Sequence, residues 1–564
     1  MRKHWKYTPS DPAIVTHLQE VLKINPIFCQ LLAQRGIHSF ETAKYFFRPQ
    51  LRHLHDPFLM KSMAKAVERL GKAIRNKERI LLYGDYDVDG TTSVAMLYAF
   101  LAKRHQKLDY YIPDRYKEGY GISLAGIDYA KQNQVNLLIA MDCGIRAVDK
   151  VATANALGID CIICDHHNPE GTLPPAIAVL DPLRPDCDYP FKHLSGCGVT
   201  LKLIQAYCQQ QGLSDDEWID LLDFVVISIA ADIVPMMGEN RVLAHFGLKQ
   251  LNCTQRPGLQ ALIHESRRSA PLSINDIVFG IGPMLNAAGR LADAKLAVRL
   301  LLSDSKFIAH ENASFLGQKN RLRKEYDQMM AEEAKSLFKQ MPNWQSQKCA
   351  VLFQAHWHKG IVGIAASRII DAFHVPTIIL TESNGKLVGS ARSIKGFNIY
   401  EGLKACSSYL ENYGGHDYAA GLTLLPENLK AFAAAFEAYV DTHLNHTDLI
   451  PQIALAAKID LKDITPKFMR ILNQFAPFGP HNRNPIFCTT QVTDNGYSKL
   501  LKGNHVKLSI QQGDASIKGI AFGRGEDFTK IQKQEAFDVC YKLEENRWKG
   551  KSYLEINVKD LRFD

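Results

Sequence analysis

No run of apolar residues in this 564-residue sequence reaches the length that a membrane-spanning helix needs. The longest candidate, residues 221–234, is interrupted by Asp223 and Asp232. The first residues, Met-Arg-Lys-His-Trp-Lys-Tyr, also lack the apolar segment of a secretory signal. We therefore expect a cytoplasmic protein without a membrane span.

The twelve cysteines show no repeating spacing, and only Cys161 and Cys164 form a Cys-x-x-Cys pair. Both lie inside an apolar run, which favours small buried residues of a strand over zinc or redox chemistry. Scattered cysteines of this kind suit a reducing cytoplasm.

Charge of one sign is not in large excess: the sequence has 67 Lys and Arg and 59 Asp and Glu, which gives a formal net charge of +8. This balance permits a polyanionic partner but does not require one. A hydrophobic content of 46% and a charged content of 22% are typical of a soluble globular enzyme. The length allows three or four domains.

From about residue 65, amphipathic helices alternate with short apolar strands. The predicted strands are residues 80–83, 109–112, 137–141 and 161–164, and the predicted helices are residues 64–75, 92–104, 123–132 and 147–156. This alternation predicts a parallel α/β sheet, which binds ligands at the carboxyl ends of its strands.

Three aspartates, Asp85, Asp87 and Asp89, follow the first of these strands at alternate positions. In an extended segment they point to one side, and three close carboxylates repel one another. They are therefore either solvated on a loop or neutralised by a cation. A calcium-binding loop starting at Asp85 requires Glu at position 96, which is Met96 here, so we exclude that loop. The helix that follows is expected to be capped by Thr91 or Thr92.

Later strands also end in side chains of the metal-binding type. Asp142 follows residues 137–141, and Asp165, His166 and His167 follow residues 161–164. Asp and His together bind ions such as Mn²⁺, Mg²⁺ or Zn²⁺. A single Asp after a strand is often a helix cap, and a lone His is usually structural. Three such strand ends in one sheet favour a metal site.

A further ligand candidate is Asp232, near the end of a predicted buried helix that Pro235 terminates. The helix dipole disfavours an anion at this end. A solvated turn aspartate is the alternative, but the apolar neighbours Ala231 and Ile233 favour a functional role.

In order along the chain, residues 84–90 (Gly-Asp-Tyr-Asp-Val-Asp-Gly), 142–144 (Asp-Cys-Gly), 165–167 (Asp-His-His) and 231–235 (Ala-Asp-Ile-Val-Pro) resemble the successive motifs of the DHH phosphoesterase superfamily. Their spacing and the later segments are similar to its bacterial single-strand-specific exonucleases. The resemblance runs over nearly the whole chain after residue 50. It implies a DHH-type parallel-sheet domain, a smaller DHHA1-type α/β domain joined by a long helix, and a C-terminal OB-like β-barrel.

The pattern predicts five segments: an N-terminal helical segment (1–50), a DHH domain (51–235), a helical region with a long connecting helix (236–345), a DHHA1-type domain (346–445) and an OB-like domain (452–564). The connecting helix, residues 305–340, is expected to turn one apolar side inward, because Ile308, Phe315, Leu322 and Met329 repeat at sevens. The barrel strands are expected at residues 485–492, 505–511, 516–522, 537–544 and 552–560.

The resemblance implies two divalent ions, Mn²⁺ or Mg²⁺. The ligands then fall into two groups that share Asp142: Asp85, Asp87 and Asp142 for one ion, and Asp89, Asp142, His166 and Asp232 for the other. His167 is expected to contact the scissile phosphate, and Asp165 to orient the histidines. Two ions roughly 3.5–4 Å apart can activate a water and stabilise the leaving oxygen.

Residues 280–290 read as a glycine-rich turn that ends in Arg290, which can present a guanidinium to phosphate. A plain helix–helix connection fits the same residues equally well. The resemblance favours the phosphate interpretation. It also implies a substrate surface made of Ser390, Arg392, Gly415 and His416, with Arg115 completing a pocket for a 5′-terminal phosphate.

Lysines and aromatic residues alternate in the predicted barrel. Lysines can contact a nucleic-acid phosphate backbone, and aromatic rings can stack on its bases. The candidates for binding single-stranded DNA are Lys507, Lys518, Arg524, Trp548 and Tyr553. A solvated barrel surface with ordinary core aromatics is the alternative.

The predicted activity is therefore metal-dependent 5′-to-3′ degradation of single-stranded DNA to mononucleotides, in DNA repair and recombination. One alternative is a phosphodiesterase for short oligonucleotides or cyclic dinucleotides, although those relatives are shorter and lack the terminal barrel. Another is a non-catalytic replication-associated factor that binds single strands, although such relatives have lost metal ligands. The expected partners are a DNA helicase and a single-strand-binding protein, and the chain is expected to be a monomer.

Overall fold

The computed structural model describes residues 3–533, 535–548 and 551–563. Along the described chain, two α/β units and a β-barrel follow a short N-terminal segment. This arrangement confirms the predicted fold class. None of the described helices is both long and apolar enough to cross a bilayer.

The N-terminal segment contains one strand and three helices: β1 (His4–Tyr7), α1 (Pro12–Leu22), α2 (Pro26–Ala33) and α3 (Phe40–Phe47). The helices match the prediction, whereas the strand was not predicted. Each helix begins after a capping side chain, from Asp11, Asn25 and Ser39 respectively, that accepts a hydrogen bond from a backbone N–H of the first turn.

The first α/β unit is built on a parallel sheet with the strand order β3-β2-β4-β5-β6. Helices surround the sheet, so β2 and β4 are apolar and buried at every position. The strands are β2 (Ile80–Gly84), β3 (Leu108–Tyr111), β4 (Leu137–Met141), β5 (Asp160–Cys164) and β6 (Ala178–Leu180). The helices are α4 (Met63–Arg75), α5 (Val88–Ala102), α6 (Leu124–Gln132), α7 (Val148–Ala156), α8 (Gly196–Gln211), α9 (Asp216–Ile219) and α10 (Leu222–Ala231).

The start of α5 differs from the prediction. Asp87 is the N-cap, and its carboxylate accepts the backbone N–H of Gly90 at 3.1 Å. Capping by Thr91 or Thr92 was therefore wrong, because an aspartate about one turn earlier already satisfies a free N–H of the first turn. Asp89 consequently lies inside the helix rather than in an extended segment.

A helical region follows, comprising α11 (Gly238–Asn252), α12 (Pro257–Glu265), α13 (Ile274–Asp276), α14 (Gly282–Leu291), α15 (Lys295–Leu301) and the connecting helix α16 (Lys306–Gln340). A π-helical turn, Ile277–Ile281, joins α13 to α14, so the predicted glycine-rich turn at 280–290 is in fact helical. The glycines permit close packing instead: a Cβ at Gly289 would lie 2.7 Å from the carbonyl oxygen of Tyr86.

The apolar repeat in α16 was assigned to the wrong face. Phe315 is 40% exposed and Met329 is 68% exposed. The buried face instead carries small residues such as Ala309, Ala313 and Gly317. Small side chains let α16 approach its neighbours closely, so the larger side chains that repeat every seven residues face solvent.

The second α/β unit has a mixed sheet with the strand order β10-β11-β9-β8-β7, in which only β7 and β8 are parallel. Its strands are β7 (Ala350–Phe353), β8 (Thr377–Ser383), β9 (Lys386–Arg392), β10 (Asn412–His416) and β11 (Ala419–Leu424). Its helices are α17 (Val362–Phe373), α18 (Ile399–Ala405) and α19 (Leu429–His443).

The barrel closes through five strands in the order β14-β18-β19-β17-β16, because β16 also pairs with β14 at Thr493↔Gln511. Closure leaves these five strands without a free edge. The strands of this part are β12 (Gln452–Leu455), β13 (Ala457–Lys458), β14 (Phe487–Asp494), β15 (Lys499–Leu501), β16 (His505–Gln512), β17 (Ala515–Ala521), β18 (Phe537–Trp548) and β19 (Lys551–Phe563). Two helices, α20 (Pro466–Asn473) and α21 (Phe528–Gln532), accompany them.

The N-terminal segment and the barrel share one hydrophobic core, in which Phe28 packs on Phe468 and Phe475. β1 pairs in parallel with β12. Arg241 on α11 fixes this unit to the first α/β unit, because its buried guanidinium donates to the carbonyls of Phe46, Phe475 and Ala476. The first fifty residues thus belong structurally with the barrel.

Candidate active site

The carboxyl ends of three neighbouring strands place acidic side chains at one edge of the first sheet. Asp85 follows β2, Asp142 follows β4 and Asp165 follows β5. Asp232, the C-cap of α10, joins them from the helical layer. The side chains that the sequence singled out at strand ends therefore lie close together.

Within this edge, donor atoms that lie within 4.8 Å of one another form three groups among the described residues: Asp85, Asp87 and Asp142; Asp89, His166 and Asp232; and Asp142, His166 and His167. The first group consists of the three ligands predicted for one ion, and the second contains three of the four predicted for the other, without the shared Asp142. The third also includes His167, for which we predicted a contact with phosphate. The individual ligand roles stay predictions.

Burial and mutual repulsion raise the pKa of several of these carboxylates. Burial raises the pKa of Asp142 well above its usual value, and the nearby Asp89 and Asp87 raise it further. Burial, followed by the charge of Asp89, raises the pKa of Asp232 to about 8. Burial and the charge of Asp87 also raise the pKa of Asp85. A cation placed here would remove this cost.

One observation tests whether the residues fit such a cation. The Oδ1 atom of Asp85 is buried and has no hydrogen-bond partner among the described residues. A buried carboxylate oxygen without a partner is costly. Carboxylate oxygens with one or two imidazole nitrogens are a donor set that suits Mn²⁺ or Mg²⁺. The site therefore fits divalent ions.

Asp89 is held by partners that the sequence did not indicate. Its carboxylate accepts the backbone N–H groups of Gly196 at 2.7 Å and Cys197 at 2.8 Å, at the start of α8. The hydroxyl of Ser228 donates to the same carboxylate at 2.7 Å. A Cβ at Gly196 would lie 2.7 Å from the Cβ of Asp142, so only glycine fits there. The run of small residues at the start of α8 was the available signal.

Asp142 has a backbone φ of 59°, in the left-handed region that non-glycine residues seldom adopt. Strained backbone of this kind concentrates at functional sites. The hydroxyl of Tyr120, which sequence reasoning also missed, donates to the carbonyl of Asp142 at 3.1 Å. The same hydroxyl lies 3.1 Å from Nδ1 of His167.

Asp165 holds the two histidines. Its Oδ1 lies 2.7 Å from Nδ1 of His167 and accepts the backbone N–H of His166 at 2.8 Å. Burial opposes ionisation of Asp165, yet the hydrogen bond and charge of His167 lower its pKa to about 2. An ionised Asp165 fixes the proton of His167 on Nδ1, and Nε2 lies 3.3 Å from the hydroxyl of Tyr120. Nε2 of His166 lies 3.1 Å from Oδ1 of Asp142.

The predicted phosphate pocket brings together residues of both α/β units. Arg392 donates to the hydroxyl of Ser390 at 2.7 Å, and Arg115 lies over the ring of Tyr86 at 4.7 Å. Burial, then the charge of Arg115, lowers the pKa of Arg392, and the same causes lower that of Arg290 to about 10. Arg115 and Tyr86 line an open cavity of about 500 Å³.

Arg290 connects the two units, because its Nη1 donates to the carbonyl of Gly360 at 2.7 Å. Gly415 and His416 lie on the other side of the cleft, where they line a cavity of about 940 Å³ together with Asp165 and His167. Of the six predicted substrate residues, Gly415 and His416 line the cavity beside Asp165 and His167, and Arg115 lines the smaller one. The roles of all six stay predictions.

On the barrel, Lys507 of β16 and Lys518 of β17 are exposed on the outer face. Lys507 is paired in register with Lys499 of β15, which brings a second cation beside it. Tyr553 of β19 is 48% exposed. These side chains are free to contact a polyanion.

Two other barrel candidates differ. Arg524 forms ion pairs with Asp527 at 2.6 Å and Asp560 at 3.0 Å, so its charge is already neutralised within the barrel. Trp548 ends β18, and its side chain lies outside the described part of the structure. The geometry thus leaves the two lysines and Tyr553 as the accessible members of the predicted set.

Three family models match successive parts of the chain. They are the DHH family N-terminal domain at residues 79–229, the DHHA1 domain at residues 346–442 and the RecJ OB domain at residues 455–560. Each match falls on one of the structural units described above.

Curated relatives match over nearly the full chain. The single-stranded-DNA-specific exonuclease RecJ of Bacillus subtilis is 36% identical over 99% of this chain and 71% of its own length. The Escherichia coli protein of the same name is 32% identical over 96% of each chain. Crystal structures of Thermus thermophilus RecJ in complex with Mn²⁺ and with Mg²⁺ superpose with TM-scores of 0.85 and 0.80 at 27% and 26% identity, covering all of this chain and 80% and 78% of those chains. The chain belongs to the RecJ family of single-stranded-DNA-specific exonucleases.

Proposed function

We propose that this chain hydrolyses single-stranded DNA from its 5′ end and releases mononucleotides, with two divalent ions, Mn²⁺ or Mg²⁺, in the active site. The observation that carries the proposal is the convergence of six metal-type side chains at one sheet edge, with the buried Oδ1 of Asp85 unpartnered. The relatives named above are single-strand exonucleases, and the solved Thermus structures contain these ions.

Asp85, Asp87 and Asp142 would hold one ion, and Asp89, Asp142, His166 and Asp232 the other. When bound, such ions supply Lewis-acid stabilisation of the phosphate and a water of lowered pKa. The protein keeps the ligand carboxylates buried and fixed, so their charges need no reorganisation during the reaction.

His167 lines the cleft while Asp165 holds its Nδ1. From this position His167 would donate a hydrogen bond, when protonated, to the scissile phosphate and stabilise the charge that develops there. Asp165 acts through His167 and does not touch the substrate.

The 5′-to-3′ direction of degradation would be set by a pocket for the terminal 5′-phosphate. Arg115 from the first unit and Ser390 and Arg392 from the second would form this pocket. The neutral hydroxyl of Ser390 orients Arg392, and the two guanidiniums favour a dianionic group. Arg290 anchors the second unit near this pocket, and Gly415 with His416 would contact the strand beside His167.

Lys507, Lys518 and Tyr553 on the barrel would hold the single strand beyond the cleft by phosphate contacts and stacking. We further propose that the chain is a cytoplasmic monomer that acts in DNA repair and recombination. A helicase would supply it with single strands, and a single-strand-binding protein would present them.

The test compares 5′-labelled and 3′-labelled long single strands, a blunt duplex and a dinucleotide, each with Mn²⁺ or EDTA. We expect the 5′ label to appear at once as a mononucleotide, with no cleavage in EDTA and little of the duplex. Release of the 3′ label first, faster hydrolysis of the dinucleotide, or cleavage in EDTA would each contradict the proposal.

A further inference from the structure

Ser228 connects two of the predicted metal ligands although it is not itself a ligand. It lies on α10 one turn before Asp232, whose backbone N–H donates to the carbonyl of Ser228 at 2.9 Å. Its hydroxyl donates to Oδ1 of Asp89 at 2.7 Å. Asp89 and Asp232 flank Nε2 of His166, at 3.7 Å and 3.8 Å. The hydroxyl of Ser228 therefore ties the Asp89 carboxylate to the helix that carries Asp232.

The hydroxyl is also held from behind. The Oγ atoms of Ser228 and Ser195 lie 2.6 Å apart, and Ser195 accepts the backbone N–H of Gly198 as the cap of α8. Ser228 is the donor in both contacts, so its single hydrogen serves either Oδ1 of Asp89 or Oγ of Ser195. The ionised carboxylate is the stronger acceptor and favours the orientation toward Asp89.

Other buried hydroxyls nearby do not act in this way. Thr92 and Ser93 on α5 donate to the backbone carbonyls of Val88 and Asp89, at 2.6 Å and 2.7 Å. They stabilise the helix and leave the ligand carboxylates untouched. Ser93 is therefore a matched control: it is equally buried, adjacent to the same aspartate, and lacks contact with the carboxylate.

We infer that Ser228 is a positioning residue that fixes Asp89 relative to Asp232 and thereby sets the affinity of the ion position formed by Asp89, His166 and Asp232. Without its hydroxyl, the carboxylate of Asp89 keeps two donors instead of three, the N–H of Cys197 on Oδ1 and that of Gly196 on Oδ2, and is held less firmly beside His166. Partners that orient metal ligands typically contribute about 10–100-fold to metal affinity. The other ion position, formed by Asp85, Asp87 and Asp142, makes no contact with Ser228.

The experiment titrates Mn²⁺ into the EDTA-treated full-length protein by isothermal titration calorimetry, for the wild type, Ser228→Ala and Ser93→Ala. The wild type is expected to bind two ions, and Ser93→Ala is expected to bind them with the same two dissociation constants as the wild type. Ser228→Ala is expected to bind one ion as the wild type does and the other about 10–100-fold more weakly. In kinetics, its activation by Mn²⁺ should shift to higher concentration by the same factor, with kcat at saturating Mn²⁺ within a few-fold of the wild type.

Ser228→Cys covers the case in which Ser228→Ala does not fold, because the thiol keeps the volume and is a much weaker donor. It is expected to show the same selective loss, in reduced size. Two unchanged constants in either variant, or an equal loss in Ser93→Ala, would overturn the inference.

The inference rests on the two-ion site of the proposed function, and the titration separates the two. A wild type that binds fewer than two Mn²⁺ ions contradicts the proposed site. If the wild type binds two Mn²⁺ ions and Ser228→Ala binds both with wild-type affinity, only the role of Ser228 is contradicted.

Discussion

The acidic edge of the first sheet and the outer face of the barrel are both predicted to meet DNA, but they are built in opposite ways. At the sheet edge, Asp89 and Asp142 are almost fully buried and depend on fixed partners. On the barrel, Lys507 and Lys518 are exposed and form no ion pair among the described residues. A change at the edge should therefore affect hydrolysis severely and locally, whereas a change on the barrel should weaken binding gradually, and most at low salt.

The largest effect is expected from Asp142→Asn, which keeps the shape and the left-handed backbone but removes the shared charge. Hydrolysis should fall by at least about 10²–10³-fold, the size of effect that follows loss of one preorganised charged group. In EDTA the variant should melt at a higher temperature than the wild type, because burial and the neighbouring Asp89 and Asp87 disfavour the native charge. Steady-state rates and thermal melts check both outcomes.

Mn²⁺ provides the control for this variant. The ions bind only the folded wild type and should raise its melting temperature, whereas the variant should respond weakly. Mn²⁺-dependent turnover close to that of the wild type in Asp142→Asn would remove the basis for a shared ligand.

Gly196→Ala should have the next largest effect, although residue 196 touches neither ion nor DNA in our proposal. The new Cβ would lie 2.7 Å from that of Asp142, so one of the two must move. A displacement of about 1 Å at a catalytic group can reduce the rate by about 10²-fold.

Gly198→Ala is the matched control in the same helix, because its Cβ would meet Leu194 at an ordinary 3.4 Å. Rates measured for both variants at saturating substrate test the prediction. Equal losses in the two would point to helix destabilisation rather than to displacement of Asp142.

These buried contacts also show where the sequence was sufficient and where it was not. The positions of Asp85, Asp142 and Asp165 could be predicted because parallel strands end at one edge and the apolar runs that precede them are unmistakable. The partners of Asp89 could not, because Gly196 and Ser228 lie more than 100 residues away and only tertiary packing brings them to it.

The errors at helices have a similar cause. Thr91 or Thr92 was expected to cap α5, but Asp87, which was predicted only as a ligand, is also the cap. The repeat of Phe315 and Met329 predicted a buried side of α16, but close packing of Ala313 and Gly317 decided the orientation. Periodicity locates a helix well, yet its buried face also depends on which side chains allow the closest approach.

Arg392→Ala should produce a moderate effect that depends on the end of the strand. Loss of charge-assisted hydrogen bonds of about 1.5–3 kcal/mol should weaken action on 5′-phosphorylated strands by about 10–150-fold in kcat/KM. Strands with a 5′-hydroxyl should be nearly unaffected, since they offer no terminal phosphate. Competition between the two labelled strands measures the ratio directly, and an equal loss on both would show that Arg392 does not recognise the end.

The smallest effect is expected from Lys507→Ala combined with Lys518→Ala. Each lost phosphate contact should reduce the salt dependence of binding by about 0.7 log unit per log unit of salt for a single strand. Binding of a long oligonucleotide across a salt series measures this slope. Lys430→Ala, an exposed lysine on α19, is the control and should leave it unchanged.

Removing the whole barrel would be a poorer test than these substitutions. The N-terminal helices share their core with the barrel, and Arg241 on α11 donates to carbonyls of the segment before β14. A chain cut near residue 450 would expose that core and leave the guanidinium without its acceptors after residue 450. A loss of activity in such a chain would therefore not report on DNA binding.

The most direct test of the contrast is a single-turnover measurement on one long 5′-phosphorylated strand, with Asp142→Asn and the Lys507→Ala/Lys518→Ala double variant compared at rising protein concentration. The account predicts that the barrel variant reaches the wild-type cleavage rate once the strand is saturated, at a higher half-saturating concentration. It predicts that Asp142→Asn cleaves negligibly at every concentration. The account would be contradicted if the barrel variant stayed far below the wild-type rate at saturation. It would also be contradicted if the rate of Asp142→Asn recovered at high protein concentration, because catalysis at the sheet edge and DNA binding by the barrel would then not be separate.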